Sequence, residues 1–181
     1  MIKHIQGLIS KIYQETIKQD LQYFNSRWLK TNYTSNSIVH DANIIDNGQE
    51  ILLLFSSQEP VNEIPETNLF FFIKPIILTA YDRPIKSLLK VKMNRLLRDE
   101  NFTSDNYNIP HQDVPENNYV SMVYYVNDSD GDTVFFEDNT IVKRISPRQG
   151  DIVLFPSNLW HASSNPSINA ERIVLNVVAE L

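Results

Sequence analysis

From residue 87 onward the chain is a succession of short β-forming segments divided by turns, and few architectures accommodate that pattern. Residues 87–98, 120–126, 133–136, 141–145, 151–155 and 172–178 each read as a strand, by alternation or by a short β-branched and aromatic run. Asp128-Ser129-Asp130-Gly131-Asp132 is a turn, because Asp, Ser and Gly each favour tight backbone reversal. Strands this short, at this spacing, predict a closed or two-sheet all-β body.

The first half is mixed. Ile5, Leu8, Ile9, Ile12, Ile17, Leu21, Phe24 and Trp28 recur mostly at three- and four-residue steps, which predicts a packing helix over residues 1–30. Residues 31–37 are loop-like, and 38–81 read as strands with turns. Asn47-Gly48 marks one turn, and 51–55 is strongly apolar. Pro60, Pro65 and several carboxylates make 56–68 a loop, while 69–78 fits strand or helix equally. The 181 residues hold no repeat or low-complexity tract and are expected to form one domain, with 87–181 as its functional core.

Composition removes several function classes. The chain has no cysteine, so thiol catalysis, disulfides and Cys-ligated zinc or iron–sulfur sites are excluded. Its formal charge is −6, which speaks against nucleic acid as a partner, since that affinity rests on basic surface. The longest apolar run, 69–81, is broken by Lys74 and Pro75, short of the roughly 20 residues a membrane span needs. The N-terminus lacks the apolar region and cleavage site of a secretory signal. A soluble cytoplasmic protein is expected, and the abundance of Asn, Ile and Lys fits an AT-rich phage or bacterial genome.

Four histidines are present: His4, His40, His111 and His161. His111 and Asp113 lie two apart, so they share one side of an extended segment. His161 follows the β run that ends at Pro156. Strand ends that converge would give one ion two imidazoles and a carboxylate, leaving three coordination positions open. That arrangement suits Fe(II), which needs free positions for a chelating cosubstrate and dioxygen. Alone, either motif is more often a solvated pair or a packed histidine. Arg172, eleven residues after His161, opens the last apolar strand and needs an anionic partner if buried. A dicarboxylate would provide one through paired hydrogen bonds to the planar guanidinium. An Asp or Glu neighbour would serve equally.

The order HxD, distal His, then Arg on the last strand resembles the iron(II)- and 2-oxoglutarate-dependent oxygenases. Ser121–Asn127 (SMVYYVN) looks like the strand after HxD in their prolyl 4-hydroxylase-like branch. DGDTVFFE at 130–137 is similar to that branch's Gly-Gly-Thr-x-Phe turn and strand. Residues 146–156, SPRQGDIVLFP, match its Pro-x-x-Gly-x-hydrophobic-x-Phe segment.

The resemblance implies a mainly β double-stranded β-helix, or jelly roll, with N-terminal supporting helices. It implies Fe(II) on His111, Asp113 and His161, with 2-oxoglutarate and O2 as co-reactants and ascorbate as a stimulant. Arg172 would take the distal carboxylate of 2-oxoglutarate, helped by Tyr125, whose side chain alternates with that of Tyr124. Asn94 would reach the proximal end or be a surface polar residue on its strand, and Thr133 would line the pocket or begin a strand. Val174 stands where many members have a Ser that shares the carboxylate, so Tyr125 must compensate. The intact Asp113 implies hydroxylation rather than halogenation. The lack of a second Arg after Arg172 separates the chain from nucleic-acid demethylases. The implied activity is hydroxylation of a C–H bond in a small molecule or peptide, peptidyl proline among them, with release of CO2 and succinate. The alternative is a non-catalytic jelly-roll structural or binding module retaining a metal site.

Overall fold

The computed structural model describes residues 1–23, 28–35, 41–57 and 67–181. In chain order the elements are β1 (Lys3–Ile5), α1 (Lys11–Tyr23), β2 (Leu29–Thr31), β3 (Gln49–Ser56), α2 (Thr67–Ala80) and β4 (Ser87–Leu97). There follow β5 (Tyr119–Tyr125), β6 (Thr133–Glu137), β7 (Thr140–Ile145), β8 (Ile152–Pro156), β9 (His161–Ser163) and β10 (Glu171–Glu180). Two antiparallel sheets result: a major one in the order β1-β8-β5-β10-β4-β3-β2, and a minor one in the order β7-β6-β9. This is the mainly β, jelly-roll body expected.

Strand β10 pairs with β4 on one side and β5 on the other, so it is buried almost throughout. A strand covered on both faces must be apolar in both registers, and Ile173–Ala179 is apolar save for Asn176. Its two faces serve different cores. Leu175 and Val177 join Met93, Met122, Tyr124 and the helices' Ile17, Leu21, Ile73 and Ile76. Val174 faces inward with Val123, Tyr125, Phe135, Val153 and Phe155, in the space between the sheets.

The single helix expected over residues 1–30 is shorter and flanked by strands. Residues 3–5 pair with β8, and Gly7, at φ 69°, takes a conformation no helix interior accepts. Ser10 starts α1, its carbonyl accepting the Gln14 amide at 3.0 Å. Ile17 and Leu21 bury against the sheet, whereas Ile12 points to solvent. Trp28 leaves the apolar stripe and lies under the Arg95 guanidinium, 4.6 Å from ring to cation. Phe24 and His40 fall outside the described residues. His4, expected on the helix, sits on β1 with Nε2 2.8 Å from Asp151 Oδ2.

Residues 69–78 are helical despite Pro75. Burial of Ile73, Ile76 and Ile77 on one face outweighs the hydrogen bond the proline cannot donate. The polar segment 99–110 is tied down. Phe102, Tyr107 and Asn108 are buried, and the Asn108 amide donates to Ser163 O at 2.8 Å. Among the described residues no helix is long and apolar enough to cross a membrane.

Candidate metal centre

His111 and His161 meet across an isolated antiparallel bridge. Each backbone amide donates to the other's carbonyl at 2.9 Å. Their rings therefore stand side by side, with centroids 4.5 Å apart. The His111 Nδ1 lies 3.2 Å from Ile109 O, and the His161 Nδ1 lies 2.9 Å from Leu159 O. A carbonyl only accepts, so both protons belong on Nδ1 and both Nε2 lone pairs are free to ligate.

Asp113 completes the group. Its amide donates to Ser157 O at 2.9 Å, and Oδ2 lies 3.6 Å from His161 Nε2. Ser121 Oγ donates to the same Oδ2 at 2.6 Å and lies 2.9 Å from Ser157 Oγ. One potential ligand atom from each of the three residues lies within 4.8 Å of the others. The set fits a metal on its chemistry: two neutral imidazoles and one carboxylate gathered on one side, each oriented by a second hydrogen bond.

The site's electrostatics agree. Burial, then the neighbouring His161, pushes the His111 imidazole down to about 4, keeping it neutral at neutral pH. Burial pushes Asp113 up, but both imidazoles, Lys92 and the Ser121 hydroxyl hold it below the usual carboxylate range. His111 and Asp113 therefore present the protonation states a divalent ion requires.

Arg172 is 3 % exposed, and no carboxylate forms an ion pair with it among the described residues. Its Nε donates to Gly131 O and its Nη2 to Thr133 Oγ1, both at 2.8 Å. Gly131 is required there, since a Cβ would stand 2.4 Å from Ser164 O. Tyr125 Oη shares Thr133 Oγ1 at 2.7 Å, and its ring lies beside the guanidinium at 5.8 Å. Burial raises the Tyr125 phenol to about 12, against the pull of Arg172 and Thr133. Thr133 thus both begins β6 and joins Tyr125 to Arg172.

Asn94 lies on the same inner face, paired in register with Val174. Among the described residues its Oδ1 and that of Asn176 are buried with no hydrogen-bond partner, and both residues line a cavity of about 40 Å3 with His111, His161, Thr133 and Arg172. A buried guanidinium without a carboxylate partner fits the anionic end of a small acid, while the two unpartnered amide oxygens call for a hydrogen-bond donor. The structure brings together His111, Asp113, His161, Arg172, Tyr125 and Asn94. Tyr124, as expected, faces the opposite core, and Trp160 is exposed. Sequence reading missed Ser121, Asn176 and Lys92. Alternation was the available signal: Lys92 precedes Asn94 by one inward step on β4, and Asn176 follows Arg172 by two on β10.

A jelly roll closed around a His-Asp-His set, with a buried arginine beside it, defines a class of mononuclear-metal protein. Residues 100–178 match the model of the 2OG-Fe(II) oxygenase superfamily. No curated protein matches the sequence. Among solved structures, a prolyl hydroxylase from Trichoplax adhaerens, in complex with a hypoxia inducible factor peptide fragment, superposes with TM-score 0.65 at 17% identity. That match covers 99% of this chain and 83% of the other. A prolyl-4-hydroxylase from Pseudomonas putida gives 0.61 at 14% identity, covering 99% and 92%. HygX from Streptomyces hygroscopicus, with nickel and 2-oxoglutarate bound, gives 0.59 at 12%, covering 99% and 82%. At these identities the likeness is one of fold. The family depends on Fe(II), 2-oxoglutarate and O2, and the His-Asp-His set is this chain's candidate iron site.

Proposed function

We propose that the chain, as one domain over residues 1–181, is a hydroxylase that inserts one oxygen of O2 into a substrate C–H bond. The other oxygen goes to 2-oxoglutarate, which leaves as succinate and CO2. The carrying observation is the convergence of two Nδ1-pinned imidazoles and Asp113 beside an arginine that lacks a carboxylate.

In this reading His111, Asp113 and His161 hold Fe(II). Ferrous iron and the 2-oxo acid supply the oxidising chemistry when bound, and the protein supplies orientation and dryness. Arg172 binds the distal carboxylate, with Thr133 fixing the plane of the guanidinium and Tyr125 buttressing both. Val174, in the position where many relatives carry a Ser, leaves that work to Thr133 and Tyr125. Asn94 binds toward the proximal end. Ser121 and Ser157 hold Asp113 in its ligating orientation. Phe135 and Phe155 pack against the His161 ring and exclude water from that side. Peptidyl proline is one candidate substrate, supported by the likeness to prolyl hydroxylases.

The test is succinate formation from 2-oxoglutarate with Fe(II) and ascorbate, compared with Asp113→Ala. It is followed by a mass-spectrometric search for products heavier by one oxygen, first among proline-containing peptides and then among small molecules. Wild-type turnover absent from the variant supports the reading. Equal succinate from both proteins, or from neither, rejects it in favour of a non-catalytic module.

A further inference from the structure

Strand β4 turns Lys90, Lys92 and Asn94 to the inner face, one pleat apart. In register, Lys92 stands opposite Asn176, which in turn faces Val123. Lys90 stands opposite Val178, which faces Ser121, the residue bonded to Asp113. Lys92 thus lines the metal pocket two inward steps along β4 from the register position of Arg172, one beyond the Asn94–Val174 pair, and Lys90 follows one pleat further along the strand. Both are half-buried, and among the described residues neither makes a hydrogen bond or ion pair. Lys92 lines the pocket with Asn94 and Asn176; burial pulls its ammonium below the usual lysine range, Asp113 opposes that shift, and the neighbouring Lys90 adds to it.

Charge accounting makes this arrangement incomplete without another anion. A ferrous ion and a doubly negative 2-oxo acid cancel formally. Asp113 then balances Arg172, and the lysines remain uncompensated. Cations held in a partly desolvated pocket are costly unless an anion joins them. Placing two of them side by side, in a chain that is acidic overall, raises that cost. Asn176 beside Lys92 has an unpartnered amide oxygen, an acceptor that a donor group of the ligand, and not its carboxylate, would satisfy.

We propose that Lys92, with Lys90 beside it, is the substrate-orienting wall of this site, and that the substrate presents a carboxylate to it. This rests on the hydroxylase reading and narrows it: an interior peptidyl proline needs no such pair, whereas a free acid or an acidic side chain does. Lys92 is then a specificity residue, setting which C–H bond points at the metal.

The experiment uses the full chain loaded with redox-inert Zn(II) and saturating 2-oxoglutarate, so that Arg172 is already engaged. Trifluoroacetate is the probe, observed by 19F NMR line broadening, with neutral trifluoroacetamide as control. Selective broadening by the anion is expected. Lys92→Met should weaken it about ten-fold, Lys90→Met less, and Lys92→Arg should retain it. Competition by N-acetylglycine would identify a free acid as the source. Competition by an amidated Ala-Asp-Ala peptide would identify a side chain. Equal broadening by the two probes overturns the proposal, and so does equal broadening in wild type and a Lys92→Met protein that still binds 2-oxoglutarate. A parallel 2-oxoglutarate titration separates the failures. Cosubstrate binding without anion preference sinks only this inference, whereas no cosubstrate binding sinks the hydroxylase reading with it.

Discussion

His161 Nε2 stands 3.6 Å from Asp113 Oδ2 while its Nδ1 is tied to Leu159 O at 2.9 Å. One nitrogen is committed to the scaffold and the other to the pocket. The same division holds for His111, so the two rings can turn only together with the backbone bridge that joins them.

Metal affinity follows from that geometry. His161→Ala or Asp113→Ala removes one of three donors and should abolish binding of Fe(II), or of Mn(II) used as its substitute. The fold should persist, because the bridge is made by backbone atoms. Ser121→Ala leaves all three donors but frees the carboxylate, and should weaken metal about ten-fold. Calorimetric titration reads all three variants. Unchanged affinity in His161→Ala would remove that residue from the site.

Cosubstrate affinity should separate from metal affinity. Arg172→Met deletes the buried cation without emptying its volume. It should weaken 2-oxoglutarate by about a hundred-fold while leaving metal binding within two-fold. Tyr125→Phe removes a hydroxyl from the Thr133–Arg172 cluster and should cost about 1.5 kcal/mol, roughly ten-fold. Fluorescence or calorimetric titration with 2-oxoglutarate checks both. No change in Arg172→Met would reject the guanidinium as the anchor.

The residues easiest to find in the sequence were those whose chemistry is local. HxD puts His111 and Asp113 on one side of an extended segment whatever the rest of the chain does. Arg172 stood out because it opens an apolar strand. Thr133 was legible as a pocket-lining residue or a strand start but not as a link, since its bonds to Tyr125 and Arg172 depend on where β6 lies relative to β10. Lys92 and Asn176 needed the register of β4 against β10, which pairing sets and sequence spacing does not. The N-terminus misled because an apolar stripe continues through Ile5 and Trp28, residues that serve strand edge and cation stacking. Helical periodicity does not register where Gly7 stops it.

Acid should loosen the metal-free protein earlier than its carboxylates alone would. The His111 imidazole is pushed from 6.5 down to about 4 by burial and by His161. Between those values the unfolded chain binds a proton that the folded chain does not, so stability rises with pH across the window and is lost as pH falls from about 6.5 toward 4. The effect is on the order of a few kcal/mol. Thermal melts in the presence of a chelator should show the slope, and His111→Gln should flatten it. An unchanged slope in that variant would place the titration elsewhere.

Tyr124 offers the reverse case, a group whose removal should help. Its ring is fully buried in the helix-facing core, and among the described residues its hydroxyl has no hydrogen-bond partner. Burial above all, with Tyr13 and Glu15 adding to it, pushes the phenol well above its ordinary range. An unsatisfied buried hydroxyl carries a desolvation cost that a hydrogen atom does not, while the ring supplies all the packing. Tyr124→Phe should therefore leave the fold intact and raise stability by about 1 kcal/mol in chemical denaturation, with metal and 2-oxoglutarate affinities unchanged. Its neighbour in sequence, Tyr125, should behave oppositely on cosubstrate binding. The pair makes an internal control, because the two substitutions delete the same atom on opposite faces of one strand. A loss of stability in Tyr124→Phe would mean that the hydroxyl has a partner, and equal behaviour of the two variants would contradict the alternation of β5.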